Sequence, residues 1–236
     1  WGCIPTKALI KNAEVYSLIK QSEKYGINVQ NISFDFKKNV KRSRDISQRL
    51  SKGIEFLMKK NKIDYLPSRG KLIDEHSILL SNNKTITSKY IIIATGGRPK
   101  QIPGIKIDGK VILSSREAMV LDKIPKDLVI IGGGAIGVEF AHLYNSFGSK
   151  VTLIEGLDHI VPSEDKDVSL ELEKIFKRKG ISVISKASVE NISVQRSKAS
   201  VSIEGHKPIK ADKVLMAIGV KGNIEDIGLK KLSIIS

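Results

Sequence analysis

Residues 128–139, Leu-Val-Ile-Ile-Gly-Gly-Gly-Ala-Ile-Gly-Val-Glu, decide the fold that this sequence predicts. Four β-favouring apolar residues run directly into a glycine cluster, and an amphipathic helical pattern follows the glycines. Gly132, Gly134 and Gly137 have the G-x-G-x-x-G spacing that lets a strand turn sharply into a helix. The first glycine of this motif allows the turn, the second lets a diphosphate approach the backbone, and the third lets the helix pack against the strand. The motif therefore indicates a binding site for a dinucleotide. The alternative interpretation is a structural turn that binds no ligand.

An acidic residue favours the dinucleotide interpretation. Glu155 closes a second strand pattern at 150–155, beyond the helix that follows the glycines. Dinucleotide sites of this type place a carboxylate about 20 residues beyond the glycines. The helix N-terminus would present its N–H groups and the positive end of its dipole to the phosphates. The sequence therefore predicts a dinucleotide site at the end of the first strand.

The composition indicates a globular protein with a basic surface. Of its 236 residues, 41% are hydrophobic and 28% are charged, and the formal net charge is +15. Nucleic-acid-binding modules are also basic, but here aromatic residues make up only 5% and the lysines are scattered along the whole length. We therefore expect a solvated lysine-rich surface and no nucleic-acid partner. The absence of a long apolar run predicts no membrane span.

The second half of the chain alternates strand and helix patterns, which is typical of a parallel α/β sheet. A domain boundary is expected at 123–127, just before the strand that leads into the glycines. The elements predicted after the glycine turn are a helix at 135–147, a strand at 150–155, a helix at 167–179, a strand at 181–185, a β-rich stretch at 189–203 and a last buried strand at 212–219.

The first half begins with a helix that Pro5 suits as a first-turn residue. Cys3 would lie just ahead of this helix, where the dipole favours a thiolate, although a lone cysteine is more often a small buried hydrophobe. A second helix is predicted at 37–61 and an antiparallel meander of short strands from residue 64 on. The run Tyr-Ile-Ile-Ile at 90–93 predicts a buried strand that leads into another glycine turn.

Four motifs occur in one order: Gly-Cys-Ile-Pro-Thr-Lys at 2–7, Ala-Thr-Gly at 94–96, the glycine motif at 132–139 and Ala-Ile-Gly at 217–219. Together they resemble the flavin-dependent pyridine-nucleotide disulfide oxidoreductases over essentially the whole chain. The resemblance implies an α/β, Rossmann-like FAD/NAD(P)-binding two-domain fold with three-layer ββα architecture. Residues 1–125 would be a partial FAD-binding domain that includes the meander, and residues 126–236 a nearly complete NAD-binding domain.

The resemblance also implies three catalytic residues. Cys3 is similar to the second cysteine of the C-x-x-x-x-C redox pair, whose thiolate lies against the flavin, and its partner would precede Trp1. Lys7 matches the lysine beside the flavin N5. Glu139 matches the glutamate that pairs with this lysine. A buried lysine would be costly without such a partner.

Two cofactors, FAD and NAD, follow from the same resemblance, and no metal site is predicted. A carboxylate accepts hydrogen bonds from a free ribose 2′-OH and repels a 2′-phosphate, and no arginine closely follows the predicted ribose ligand, so NAD is favoured over NADP. The residues expected to contact FAD are Lys7, Gly70, Thr95, Gly96 and Gly97. Those expected to hold NAD are Gly132, Gly133, Gly134, Ala135, Ile136, Gly137, Val138 and Glu139, with Glu155 on the adenosine ribose, Val189 beside the adenine and Gly219 near the nicotinamide.

Within the family, the members that oxidise protein-bound dihydrolipoyl groups with NAD match best. The implied partners are the lipoyl domains of 2-oxoacid dehydrogenase complexes, with a homodimer in the intact protein, in a bacterial cytoplasm or the mitochondrial matrix. The alternatives are the mercuric reductase branch, which generally prefers NADP, and the glutathione reductase branch, which usually has Val-Pro-Lys-Lys where residues 4–7 are Ile-Pro-Thr-Lys. A basic nucleic-acid-binding module is a remote alternative.

The chain is expected to be a fragment of such an enzyme and inactive by itself. The flavin glycine motif and the C-terminal interface domain, which supplies the catalytic histidine, would lie outside it. None of the four histidines, His76, His142, His159 and His206, has the matching context. Residues 219–223 are Gly-Val-Lys-Gly-Asn where the family commonly has Gly-Arg-x-Pro-Asn, so the local turn, but not the strand before it, is left without a prediction.

Overall fold

The structure is a computed structural model, and it describes residues 1–234. In this range the α-helices are α1 (Cys3–Lys20), α2 (Phe36–Lys60), α3 (Ser115–Ala118), α4 (Ala135–Ser146) and α5 (Lys166–Arg178). The strands are β1 (Gly70–Leu72), β2 (Ser77–Leu80), β3 (Thr85–Thr87), β4 (Gly97–Pro99), β5 (Ile112–Leu113), β6 (Asp127–Ile131), β7 (Lys150–Ile154), β8 (Ser182–Ile184), β9 (Val189–Gln195), β10 (Lys198–Ile203), β11 (Ile209–Ala211), β12 (Lys213–Met216) and β13 (Val220–Gly222). The chain divides into two compact units: Trp1–Ser51 with Pro99–Gly219, and Lys52–Arg98 with the residues from Val220 on.

The first unit has three layers around a five-stranded parallel sheet, whose strand order is β5-β12-β6-β7-β8. Successive side chains of the central strand β6 point to opposite faces. Leu128 and Ile130 join a core that includes side chains of α1 and α4. Val129 and Ile131 join a second core with the antiparallel sheet β11-β10-β9. The layers are therefore helix, parallel sheet and antiparallel sheet, and the predicted ββα architecture is confirmed.

Helix α1 belongs to the first unit and packs against α4, the helix that follows the glycines. Ala13 of α1 and Ala141 of α4 are fully buried, and such small side chains let two helices approach closely. The hydroxyl of Tyr144 on α4 donates a hydrogen bond to the carbonyl oxygen of Ala118. Burial raises the pKa of Tyr144, so the phenol keeps the proton that this hydrogen bond uses. The packing therefore fixes α1 beside α4.

The second unit contains the predicted meander, formed by the antiparallel strands β1, β2 and β3. The N–H of Leu72 donates to the carbonyl of Ile227 at 2.9 Å, so the meander is bonded to the segment that follows residue 220. Strands β4 and β13 form a separate two-stranded sheet. This sheet and the bond at Leu72 join the two sequence-distant segments of the unit.

Two local predictions were wrong. Residues 90–93 form no strand, and Ile92 is 91% exposed. A continuous apolar run becomes a buried strand only where neighbouring strands pair with it, and within the described part of the chain no strand pairs with this run. Cys3 is the first residue of α1 and does not lie ahead of it. No helix among residues 1–234 is both long and apolar enough to cross a membrane.

Candidate functional site

The glycine turn between β6 and α4 is held by close backbone contacts. Gly132 has φ +103°, and a Cβ there would lie 2.4 Å from the carbonyl oxygen of Ala217. A Cβ on Gly137 would lie 1.9 Å from the carbonyl oxygen of Gly132. Backbone atoms cannot move aside as a flexible side chain can, so these two positions require glycine. The turn is therefore set by the crossing of β6, α4 and the end of β12.

Gly134 has a different reason to be glycine. No described atom outside its neighbours lies within 4 Å of a Cβ built there, so the space in front of it is open. Gly134 is the N-cap of α4, and among the described residues no side chain caps this helix. The uncapped N–H groups and the positive end of the helix dipole face that open space. This arrangement fits the diphosphate of a dinucleotide.

The carboxylate of Glu155 lies at the same turn. Its Oε2 accepts a hydrogen bond from the N–H of Gly133 at 2.6 Å, and its Oε1 accepts one from the N–H of Leu157 at 2.9 Å. The residue is only 9% exposed. An ionised carboxylate has about four lone-pair sites, so further acceptor capacity remains for ribose hydroxyl groups. The position and chemistry of Glu155 fit the predicted role on the adenosine ribose.

Val189 and Gly219 lie close in sequence to residues that contact this turn. The N–H of Ala187 donates to the carbonyl of Glu155 at 3.0 Å, and Val189 begins β9 shortly after it. Gly219 has φ +100° and follows the Ala217 carbonyl against which Gly132 packs. Each of these two predicted residues therefore lies two positions along the chain from a residue that contacts Glu155 or Gly132. Ala135, Ile136 and Val138 lie in the first turns of α4.

The three predicted catalytic residues lie on α1 and α4. Lys7 Nζ forms an ion pair with Glu139 Oε1, which connects the cysteine helix directly to the helix of the glycine motif. The side chains are 60% and 30% exposed, so this lysine is not the buried residue that the sequence led us to expect. Cys3 is exposed at the start of α1.

The predicted flavin contacts of the second unit surround its own glycine turn. Gly96 has φ +73°, and its carbonyl accepts a hydrogen bond from the N–H of Asn223 at 3.0 Å. The hydroxyl of Thr95 donates to the carbonyl of Asn223 at 2.6 Å. A Cβ on Gly97 would lie 3.3 Å from the carbonyl oxygen of Lys221. Gly70, at the start of β1, lines the same pocket as Thr95, and Ile78 leaves no room for a Cβ there.

Sequence analysis missed a cluster of side chains beside this turn, the Arg98 cluster, formed by Arg98, Asn223 and Glu225. The guanidinium of Arg98 donates to both carboxylate oxygens of Glu225, at 2.9 and 2.5 Å, and to Asn223 Oδ1 at 3.0 Å. The hydrogen bond from Arg98 lowers the pKa of Glu225 to about 2. About 125 residues separate the partners, and neither periodicity nor motif spacing in one sequence reveals such a contact.

Comparison with known proteins identifies the class of protein. The family model of the pyridine nucleotide-disulphide oxidoreductases matches residues 1–234, and the chain therefore belongs to that family. The resemblance predicted from the four sequence motifs is confirmed. Family membership also agrees with FAD and a nicotinamide dinucleotide as the predicted cofactors.

Curated relatives that resemble the chain include dihydrolipoyl dehydrogenases. The chain is 40% identical to the one from Chlorobaculum tepidum, over 99% of this chain and 52% of that protein. It is 36% identical to the one from Bacillus subtilis, over 100% of this chain and 53% of that protein. The chain thus spans about half the length of these curated relatives.

The solved structures that resemble the chain include two flavoprotein-family examples of high fold similarity. One is the HOCl-induced flavoprotein disulfide reductase RclA from Escherichia coli, with a TM-score of 0.80, 29% identity and coverage of 98% of this chain and 50% of that one. The other is LpdA from Mycobacterium tuberculosis, with a TM-score of 0.85 and coverage of 98% of this chain and 52% of that one. At 23% identity, the second likeness shows the shared fold alone.

Proposed function

We propose that this chain is part of an NAD-dependent dihydrolipoyl dehydrogenase, which reoxidises a protein-bound dihydrolipoyl group and passes a hydride to NAD. One observation carries the proposal: the ion pair of Lys7 with Glu139 joins the helix that begins at the redox cysteine to the helix that begins at the nucleotide turn. One chain thus contains a thiol end, which is Cys3 at the start of α1, and a nucleotide end, which is the glycine turn at the start of α4 with Glu155. The similarity to two dihydrolipoyl dehydrogenases supports this choice within the family.

The nucleotide end binds and selects the dinucleotide. The N-terminus of α4 binds the diphosphate in the open space at Gly134. Glu155, held by two backbone N–H groups, accepts hydrogen bonds from the ribose hydroxyls of NAD. The same carboxylate repels the 2′-phosphate of NADP, because like charges in a buried site are costly. NAD is the expected partner for these reasons.

The thiol end reacts with the dihydrolipoyl substrate. Cys3, which is exposed at the start of α1, is one half of the redox pair. Lys7, paired with Glu139, supplies a positive charge one turn further along α1. FAD, when bound, would supply the two-electron chemistry that links a dithiol to the nicotinamide. Thr95, Gly96, Gly97 and Gly70 are proposed to contact it.

The proposed roles divide the chain at residue 125 into a flavin part, 1–125, and a nicotinamide part, 126–236. This division follows the motifs and differs from the two compact units, since α1 packs in the unit of the parallel sheet. The lipoyl domains of a 2-oxoacid dehydrogenase complex would supply the substrate to a homodimeric enzyme. Its place would be the cytoplasm of a bacterium or the mitochondrial matrix.

Steady-state kinetics of the full-length protein test the proposal. Dihydrolipoamide with NAD should give turnover, and mercuric ion or oxidised glutathione with NADH or NADPH should give little. Cys3→Ser should abolish the oxidation of dihydrolipoamide and leave NADH binding intact, while Ser17→Ala, on the same helix, serves as a matched control. A preference for mercuric ion or oxidised glutathione would assign the chain to another branch of the family. Full activity of Cys3→Ser would contradict the thiol role.

A further inference from the structure

The Arg98 cluster lies where the two segments of the second unit meet. One segment ends with Thr95–Arg98, and the other begins with Val220. Besides its bonds to Asn223 and Glu225, Arg98 Nη1 donates to the carbonyl of Gly222 at 3.1 Å. The guanidinium therefore contacts three residues of a segment more than a hundred positions away. Glu225 binds it with both oxygens, which fixes its plane as well as its position.

The orientation of the Asn223 amide depends on Arg98. A guanidinium only donates hydrogen bonds, so the atom of the Asn223 amide that faces Arg98 is the oxygen. The nitrogen, Nδ2, then faces the other way and donates to the carbonyl of Thr95 at 3.2 Å. Asn223 also binds the hydroxyl of Thr95 and the carbonyl of Gly96 through its backbone. Asn223 therefore transmits the position of Arg98 to the turn at Thr95 and Gly96.

The cluster is poorly suited to a role in stability alone. The side chains of Arg98 and Glu225 are 42% and 48% exposed, and exposed ion pairs contribute little to the stability of a fold. Glycine is more flexible than other residues, and the turn contains Gly96 and Gly97, with Gly222 facing them on β13. A turn with that much backbone freedom needs a restraint from outside if it is to keep one conformation.

We infer that Arg98 is a positioning residue, which acts through Asn223 to hold Thr95, Gly96 and Gly97 in the conformation that contacts FAD. The inference rests on the proposed function, because the flavin contact at this turn is part of that proposal. Glu225 orients the guanidinium, and the guanidinium orients the amide. Removal of either charged group releases the amide of Asn223 and weakens the binding of FAD before it affects the rest of the fold.

Reconstitution of the full-length apoprotein with FAD tests this inference. The dissociation constant of FAD is measured by the change in flavin fluorescence, and the thermal unfolding of the apoprotein is measured in parallel. Arg98→Met should raise the dissociation constant roughly tenfold, about the effect of one lost hydrogen bond to a charged group. Arg98→Lys should rescue it only in part, because a lysine cannot bind Glu225 with a planar fork. The unfolding temperature of the apoprotein should stay close to that of the wild type.

Lys221→Met is the matched control. Lys221 also pairs with Glu225, at 3.3 Å, but the structure gives it no hydrogen bond to Asn223 within the described residues, so its replacement should leave FAD affinity within about twofold of the wild type. Because Arg98 acts through Asn223, the double variant Arg98→Met/Asn223→Ala should bind FAD no more weakly than Asn223→Ala alone. Glu225→Gln provides a second single variant should Arg98→Met fail to fold.

The outcomes separate the two proposals. If the wild-type protein binds FAD and Arg98→Met or Glu225→Gln binds it equally tightly, the inference is wrong and the proposed function stands. Additive losses in the double variant would also overturn the inference, since they would show that Arg98 acts independently of Asn223. If the wild-type protein takes up no FAD, the proposed function fails, and the inference fails with it.

Discussion

The chain contains two glycine turns that are proposed to contact cofactors, and they are held in opposite ways. At Gly132 a Cβ would meet the Ala217 carbonyl oxygen at 2.4 Å, whereas at Gly97 it would meet the Lys221 carbonyl oxygen at 3.3 Å. The first turn is fixed by buried backbone of β6, α4 and β12. The second is exposed, and it is restrained by the backbone hydrogen bond of Gly96 with Asn223 and by side chains centred on Arg98. A nucleotide site can thus be part of the core of a fold, or it can depend on a few surface contacts.

The largest effect is expected from Gly137→Ala in the first turn. The new methyl group would lie 1.9 Å from the Gly132 carbonyl oxygen, and this backbone cannot retreat without separating α4 from β6. We expect a loss of more than about 3 kcal/mol in the free energy of unfolding, or no folded protein at all. Urea unfolding followed by circular dichroism measures it. If Gly137→Ala were as stable as the wild type, close backbone contacts would not fix the first turn, and the difference between the two turns would be refuted.

A smaller effect, on binding alone, is expected from Gly134→Ala. The added methyl group meets no described atom within 4 Å, and φ −70° with ψ −174° is open to alanine. The free energy of unfolding should change by at most about 1 kcal/mol. The methyl group would, however, occupy the space where the diphosphate approaches, so the dissociation constant of NADH should rise at least about tenfold. Unchanged NADH affinity, measured by calorimetry, would place the dinucleotide elsewhere.

The smallest effect is expected at the exposed turn, from a change of pH. The pKa of Glu225 is lowered to about 2 by the hydrogen bond from Arg98, against about 4.3 for a free glutamate. The contribution of this pair is therefore fully present above about pH 4.3 and is lost as the pH falls towards 2. Wild type and Glu225→Gln should differ by a few degrees at most in unfolding temperature. The difference should be constant from pH 8 to 5 and should shrink below about pH 4. A difference that grows on acidification would contradict the ion pair.

The first turn, between β6 and α4, was predictable from sequence because the residues that shape it lie close together in the chain. Gly132, Gly134 and Gly137 encode a strand, a bend and a close-packed helix through their spacing, and Glu155 follows at the end of the next strand. The alternating pattern of β6, α4, β7, α5 and β8 likewise predicted the parallel sheet, since each element has its own periodicity.

The exposed turn was only partly predictable. Thr95 and Gly96 were recognised by resemblance, but their contacts with Asn223 join residues about 125 positions apart. Periodicity and motif spacing in a single sequence do not reveal contacts between residues so far apart. The run at 90–93 was misassigned for a related reason, because its burial depends on neighbouring strands and not on its own composition.

The affinity of the protein for NADH and NADPH, compared between wild type and Glu155→Gln, tests the central claim most directly. Glu155 faces the glycine turn with both oxygens held by backbone N–H groups, and like charges brought together in a buried site cost several kcal/mol. Calorimetry should show that the wild type prefers NADH at least about 100-fold, and that Glu155→Gln lowers this ratio by weakening NADH and tolerating NADPH. A wild-type protein that binds neither nucleotide, or that prefers NADPH, would contradict the account.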